Sequence, residues 1–153
     1  MKILPLEASD QEILDAVREW VGLLIEERYT DAYEFLYHED SLQGWTPEFI
    51  ATVIQNYGSL DPDLSGEVFT VTSLDQAKVD PPRSMPLRQD VHRYRDADSD
   101  SFRWDPEGED DDVGGDVHFG LPLNGHASDL TAILDFCVVK NHIVFQLRDI
   151  RVM

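Results

Sequence analysis

Residues 130–152 read LTAILDFCVVKNHIVFQLRDIRV, and the fold turns on them. Leu130, Ala132, Leu134, Phe136 and Val138 recur at every second position, the period of a strand with one buried face. Lys140-Asn141 follows as a tight turn, because Asn tolerates positive φ. Ile143, Phe145 and Leu147 then return as the partner strand. The pattern changes face at Ile150 and Val152, so a bulge is expected near Arg148-Asp149. A hairpin this long belongs at the centre of an antiparallel sheet. Upstream, Val117, Phe119 and Leu121 alternate with polar or small residues and add a strand, while Val68 to Thr72 and Val91 to Arg95 read as shorter ones.

The front third has a different period. Ile13, Leu14, Val17, Trp20, Val21, Leu24 and Ile25 form one apolar stripe at helical spacing. Ser9 and Glu12 make a capping box, in which each side chain satisfies an orphan backbone N–H of the first turn. This helix is expected to end near Arg28 despite Gly22 in its interior. Thr30 is expected to cap a short second helix carrying Ala32, Tyr33, Leu36 and Tyr37 on one face. Thr46-Pro47-Glu48 is a strong start signal for a third: a cap, then Pro at the first helical position, then an acid near the positive end of the dipole. Its stripe is Phe49, Ile50, Val53, Ile54 and Tyr57, and Gly58 stops it. The reading is therefore α+β, with N-terminal helices packed on an antiparallel sheet. Residues 1–153 form a single domain carrying an acidic irregular insertion at about 96–115, closed by Gly114-Gly115.

Element order adds a resemblance. The stretch Val17 to Leu36 holds a long helix, a short break at Tyr29-Thr30-Asp31 and a second helix whose start reads Asp31-Ala32-Tyr33, and a long closing hairpin runs from Asp129 to Val152. This is similar to the NTF2-like superfamily. The resemblance implies a curved sheet that forms a cone with the helices, and often a homodimer through the outer sheet face. In such folds some members move a proton with Asp, His or Tyr in the cone, while many only bind a ligand or partner. The stretch from Leu121 to Thr131 resembles uncharacterised bacterial proteins and brings no activity with it.

Charge narrows the function classes. Thirty-one acids against twelve bases leave a net charge of −19. Phosphate backbones and anionic lipid surfaces both need clustered Lys and Arg, so nucleic acid and membrane are not expected partners. The N-terminus has no basic region followed by an apolar run, so no signal peptide is expected, and a cytoplasmic setting with a reduced thiol follows. A single cysteine, Cys137, lies in an apolar strand and reads as a buried, inert thiol.

Residues 96–112 hold nine acids and one base, Arg103. Asp96, Asp98, Asp100 and Glu107 stand at positions one, three, five and twelve of a calcium-loop window, which would let one segment wrap a hard cation in oxygens. The sixth position, Ser101, lacks the usual Gly, and the flanks do not read as helices. Calcium is the one cofactor this spacing allows. The same segment also reads as a docking surface for a basic protein. Phe102 and Trp104 supply aromatic anchors, ringed by Asp105, Glu109, Asp110, Asp111 and Asp112, and such carboxylates steer a cationic partner. Small acidic bacterial proteins that neutralise basic nuclease toxins use this physics. The alternative for the aromatics is that they pack back on the domain.

Candidate catalytic groups are sparse. The five histidines include no i,i+2 or i,i+4 pair and no HExxH, so a zinc site would have to be assembled from distant segments. His118 lies out of phase with Val117 and Phe119 and reads as a surface residue. Asp135 and Arg148 fall in phase on the hairpin and are expected on one side of it, a pairing more often structural than catalytic. Tyr33, Tyr37 and Tyr57 read as core residues whose hydroxyls reach the surface, or as the lining of a cone mouth. No phosphate loop or nucleophile elbow is present. No catalytic residue is assigned. The leading expectation is a non-enzymatic bacterial binding protein, in its concrete form an immunity protein. The alternatives are a cone-pocket enzyme or ligand binder, and a calcium-ordered loop.

Overall fold

The closing hairpin forms as its alternation requires. In a computed structural model describing residues 1–38, 45–58, 68–73, 88–93 and 112–153, β4 (Leu130–Val139) and β5 (His142–Val152) pair antiparallel over almost their whole length. Lys140 and Asn141 close the turn, both at positive φ (49° and 65°). That is the twist a two-residue hairpin turn needs. The register shifts where Ile133 faces Asp149 and Leu134 faces Leu147, so Arg148 is the extra residue of a bulge. Leu147 and Ile150 can then both face the core.

Among the described residues the element order is β1 (Leu4–Pro5), α1 (Asp10–Ile25), α2 (Tyr29–Phe35), α3 (Pro47–Gln55), β2 (Gln89–Arg93), β3 (Asp112–Gly120), β4 and β5. The five strands form one antiparallel sheet in the order β1-β5-β4-β3-β2, curled into a half-barrel with the helices on one side. The fold is α+β. The core lies between helices and sheet. Ile13, Val17, Trp20 and Leu24 of α1 and Ile50 and Ile54 of α3 meet Phe119, Leu134, Phe136 and Phe145, all buried. Each such side chain contributes about 1.5–3 kcal/mol of transfer free energy. The Trp20 indole N–H donates to the Ala32 carbonyl at 3.1 Å, which ties α1 to α2 without leaving a buried donor unmet.

Both expected caps form. Ser9 and Glu12 make the reciprocal capping box, and the Thr46 hydroxyl accepts from the Phe49 N–H with Pro47 at the first position. Several boundaries differ from the sequence reading. α1 ends at Ile25, because Glu27 turns left-handed (φ 57°) and the Glu27 and Arg28 amides donate back to Leu24 and Leu23. Arg28, not Thr30, therefore precedes α2, and Thr30 lies within it. Val68 to Thr72 form only a bridge, Val71 to Leu123. There the Asn124 side chain accepts from the Thr70 amide and takes the place of a second ladder. β2 covers Gln89–Arg93 and so starts two residues earlier than read, while Tyr94 and Arg95 lie outside the described residues.

The largest correction concerns Gly114-Gly115. These residues do not close a loop. They lie inside β3, which begins at Asp112. The register shifts between Val113 and Gly115, and a Cβ on Gly115 would collide with the His92 carbonyl oxygen and the Phe136 ring. The glycine is there because two neighbouring strands occupy its side-chain space.

Two substitutions separate space from backbone freedom. Gly115→Ala is expected to destabilise the protein by about 3 kcal/mol through this overlap. Gly22→Ala, where an added methyl meets nothing within 4 Å, is expected to stabilise it by about 0.5–1 kcal/mol. Chemical denaturation of both variants checks the pair of signs.

Candidate functional site

Strand alternation places a second set of residues on the sheet face opposite the helices. Cross-strand pairing runs His92–Asp116–Asp135–Gln146 from β2 to β5, so one polar row crosses four strands. His118 follows two residues after Asp116 and shares its face. Arg148, two residues after Gln146, lies on the same face.

Asp116 is the centre of this set and is only 5% exposed. Its Oδ1 lies 2.9 Å from His92 Nδ1 and 3.5 Å from His118 Nε2. Its Oδ2 lies 3.3 Å from an Arg148 guanidinium nitrogen. Arg148 also makes a two-point contact with the Asp135 carboxylate, one arm being Nε donating to Oδ2 at 3.2 Å. One guanidinium thus serves two carboxylates on adjacent strands. The His92 and His118 rings meet edge to face, 5.0 Å between centroids. His118 Nδ1 is buried and has no hydrogen-bond partner among the described residues.

Burial dominates the titration of this face. It pushes the Asp135 carboxyl above its usual range, against the hydrogen bond and charge of Arg148, and Asp116 nearby adds to the rise. Burial likewise holds the His118 imidazole below its usual range, against the pull of Asp116 and assisted by Arg88 and His92. The neutral imidazole is the form that leaves a ring nitrogen able to accept a proton or bind a cation.

The expected Asp135–Arg148 pair forms. His118, read as a surface residue, is instead half-buried against Asp116, because that carboxylate and the His92 ring share its face. Asp116 was not singled out in the sequence, although Asp116-Val117-His118 places two polar groups at the spacing of one strand face. His92 could be joined to them only by the β2–β3 register. Cys137 is buried, as read, 3.5 Å from the Gln146 amide oxygen. Tyr33 and Tyr57 pack at the rim of the core, and the Tyr57 hydroxyl donates to Asp129. Burial first, and Asp129 second, push the Tyr57 phenol upward.

The residues read as a calcium loop, Asp96, Asp98, Asp100 and Glu107, lie outside the described residues. So do Phe102, Trp104, Asp105, Glu109, Asp110 and Asp111 of the docking surface. Asp112 is the first residue of β3 rather than part of an irregular insertion, because its backbone pairs with Val138.

Arg148→Met tests the polar row. Asp135 has a raised folded pKa, so its stabilising contribution is present below the unfolded value of about 4 and is lost as pH rises through the folded one. Without the guanidinium that loss grows. The variant is expected to be about 2 kcal/mol less stable at neutral pH, less than for a fully buried pair because Arg148 is 40% exposed. The deficit should shrink toward pH ~4, where the carboxyl is protonated. Urea denaturation at neutral and mildly acidic pH checks this, and an equal deficit at both would contradict it. Comparison of the chain with protein families, with curated proteins and with solved structures returned no match.

Proposed function

We infer that this chain is a non-enzymatic binding protein whose acidic surface engages a basic protein partner. The observation that carries this reading is how the protein spends its own cations. Seven of the eight Lys and Arg side chains among the described residues, Lys2, Arg18, Arg28, Arg88, Arg93, Arg148 and Arg151 but not Lys140, already lie against a carboxylate of the same chain. With 31 acids against 12 bases, most carboxylates can be neutralised only by salt or by another molecule. A cationic partner meets an attractive field across that surface, which raises its association rate and makes binding sensitive to salt. The acid-rich residues 96–112, with Phe102 and Trp104 among them, are the proposed centre of contact. Neutralisation of a basic nuclease toxin, in a bacterial cytoplasm, is the concrete form of the proposal. No described helix is long and apolar enough to cross a membrane.

The helix-first order and curled sheet are consistent with an NTF2-like domain, and this supports kinship with that superfamily as part of the same reading. The interior argues for binding over catalysis in a cone. Trp20, Phe119, Phe136 and Phe145 fill the space between helices and sheet, and each is 2% exposed or less. The titratable cluster lies on the other face.

Replacing Glu109, Asp110, Asp111 and Asp112 together with Ser tests the reading. A protein captured on the immobilised chain at low salt is expected to be basic and to release at high salt. Purified, it should bind the quadruple variant at least tenfold more weakly, about 1.4 kcal/mol, while the melting temperature hardly moves. A neutral or acidic partner, or unaltered affinity, would sink the proposal.

A further inference from the structure

We propose that His92, Asp116 and His118 form a binding site for one borderline divalent transition-metal ion, of which zinc is the reference. The three residues each offer one ligand atom, and these atoms lie within 4.8 Å of one another. A zinc ion with bonds of about 2.0–2.1 Å holds tetrahedral ligand atoms about 3.4 Å apart. The present contacts to Asp116 Oδ1, at 2.9 and 3.5 Å, bracket that separation. The third pair, the two imidazole nitrogens, lies within 4.8 Å, so the two rings must rotate toward each other to close around an ion.

The backbone is what makes the arrangement available. Asp116 and His118 share a face of β3 by strand period, and β2 sets His92 opposite Asp116 by register. The donor set, two imidazole nitrogens and one carboxylate oxygen, suits zinc and its neighbours, whereas calcium takes oxygens in greater number. The two oxygens of Asp116 divide their roles. Oδ2 faces Arg148, and Oδ1 faces both rings. Arg148 is shared with Asp135, so one guanidinium stands against two carboxylates. Carboxylate ligands are commonly fixed by outer partners in this way.

His118 offers Nε2 to the cluster, and its buried Nδ1 has no hydrogen-bond partner among the described residues, so no bond on that side holds the ring against rotation toward an ion. The His92 side chain is 46% exposed, which opens the cluster to an arriving ion and leaves a fourth position for water.

The experiment uses the full chain, stripped of metal with a chelator and titrated at neutral pH with zinc by calorimetry and with cobalt by visible absorption. One equivalent is expected to bind, with the intense cobalt bands of a four-coordinate site, and millimolar calcium should not displace it. His92→Gln and His118→Gln should each weaken zinc binding by at least about tenfold. His142→Gln, on the exposed start of β5, should not. His92 is half-exposed, so its variant is expected to keep the parent circular dichroism spectrum and melting temperature. The absence of binding would leave a hydrogen-bonded network and overturn the proposal. Unchanged affinity in folded His92→Gln would do the same, by placing the ion among carboxylates elsewhere. Displacement by calcium would also overturn it.

Discussion

The Phe136 ring lies against Gly114 and Gly115, and the rest of the sheet depends on that contact. A side chain at Gly115 would meet both this ring and the His92 carbonyl. The glycine pair therefore lets β2, β3 and β4 approach closely while the register shifts at Val113. A slip of one residue would exchange the two faces of β3. Val117 and Phe119 would leave the core, and Asp116 and His118 would enter it. The apolar interior and the polar row are consequences of one register.

The second bulge works in the same way at the other side of β4. Arg148 is the extra residue that the register skips, and this lets Leu147 and Ile150 face the core together. Arg148 keeps the face of Gln146 and sets a guanidinium against the two aspartates that the register has placed opposite each other. Two adjacent carboxylates would otherwise repel, so Arg148 and the aspartate pair are physically linked. The outer face thus carries the titratable chemistry. On the helix-facing side, Trp20 and three phenylalanines are buried.

What the sequence made legible follows from range. The capping box at Ser9, the Thr46-Pro47 start, the Lys140-Asn141 turn and the bulge at Arg148 are decided by residues within a few positions of each other, and each formed. Asp135 and Arg148 could be set on one side for the same reason, since a two-residue turn joins their strands. The end of α1 was not legible, because it needs a non-glycine residue, Glu27, in the left-handed region. Gly114-Gly115 misled because a glycine pair after an acid run reads as a loop. The His92 carbonyl and the ring of Phe136, each more than twenty residues away, explain it. The His92–Asp116–His118 group was hidden by the same limit. Composition says nothing of the register that joins β2 to β3.

Interstrand NOEs across β2, β3 and β4 test that register most directly. The account requires contacts between the backbone protons of His92 and Asp116, and of Asp116 and Asp135, within one continuous ladder. Contacts displaced by one residue, joining His92 to Val117 and Val117 to Asp135, would contradict it, because they would send the aspartate and the histidine to the other face.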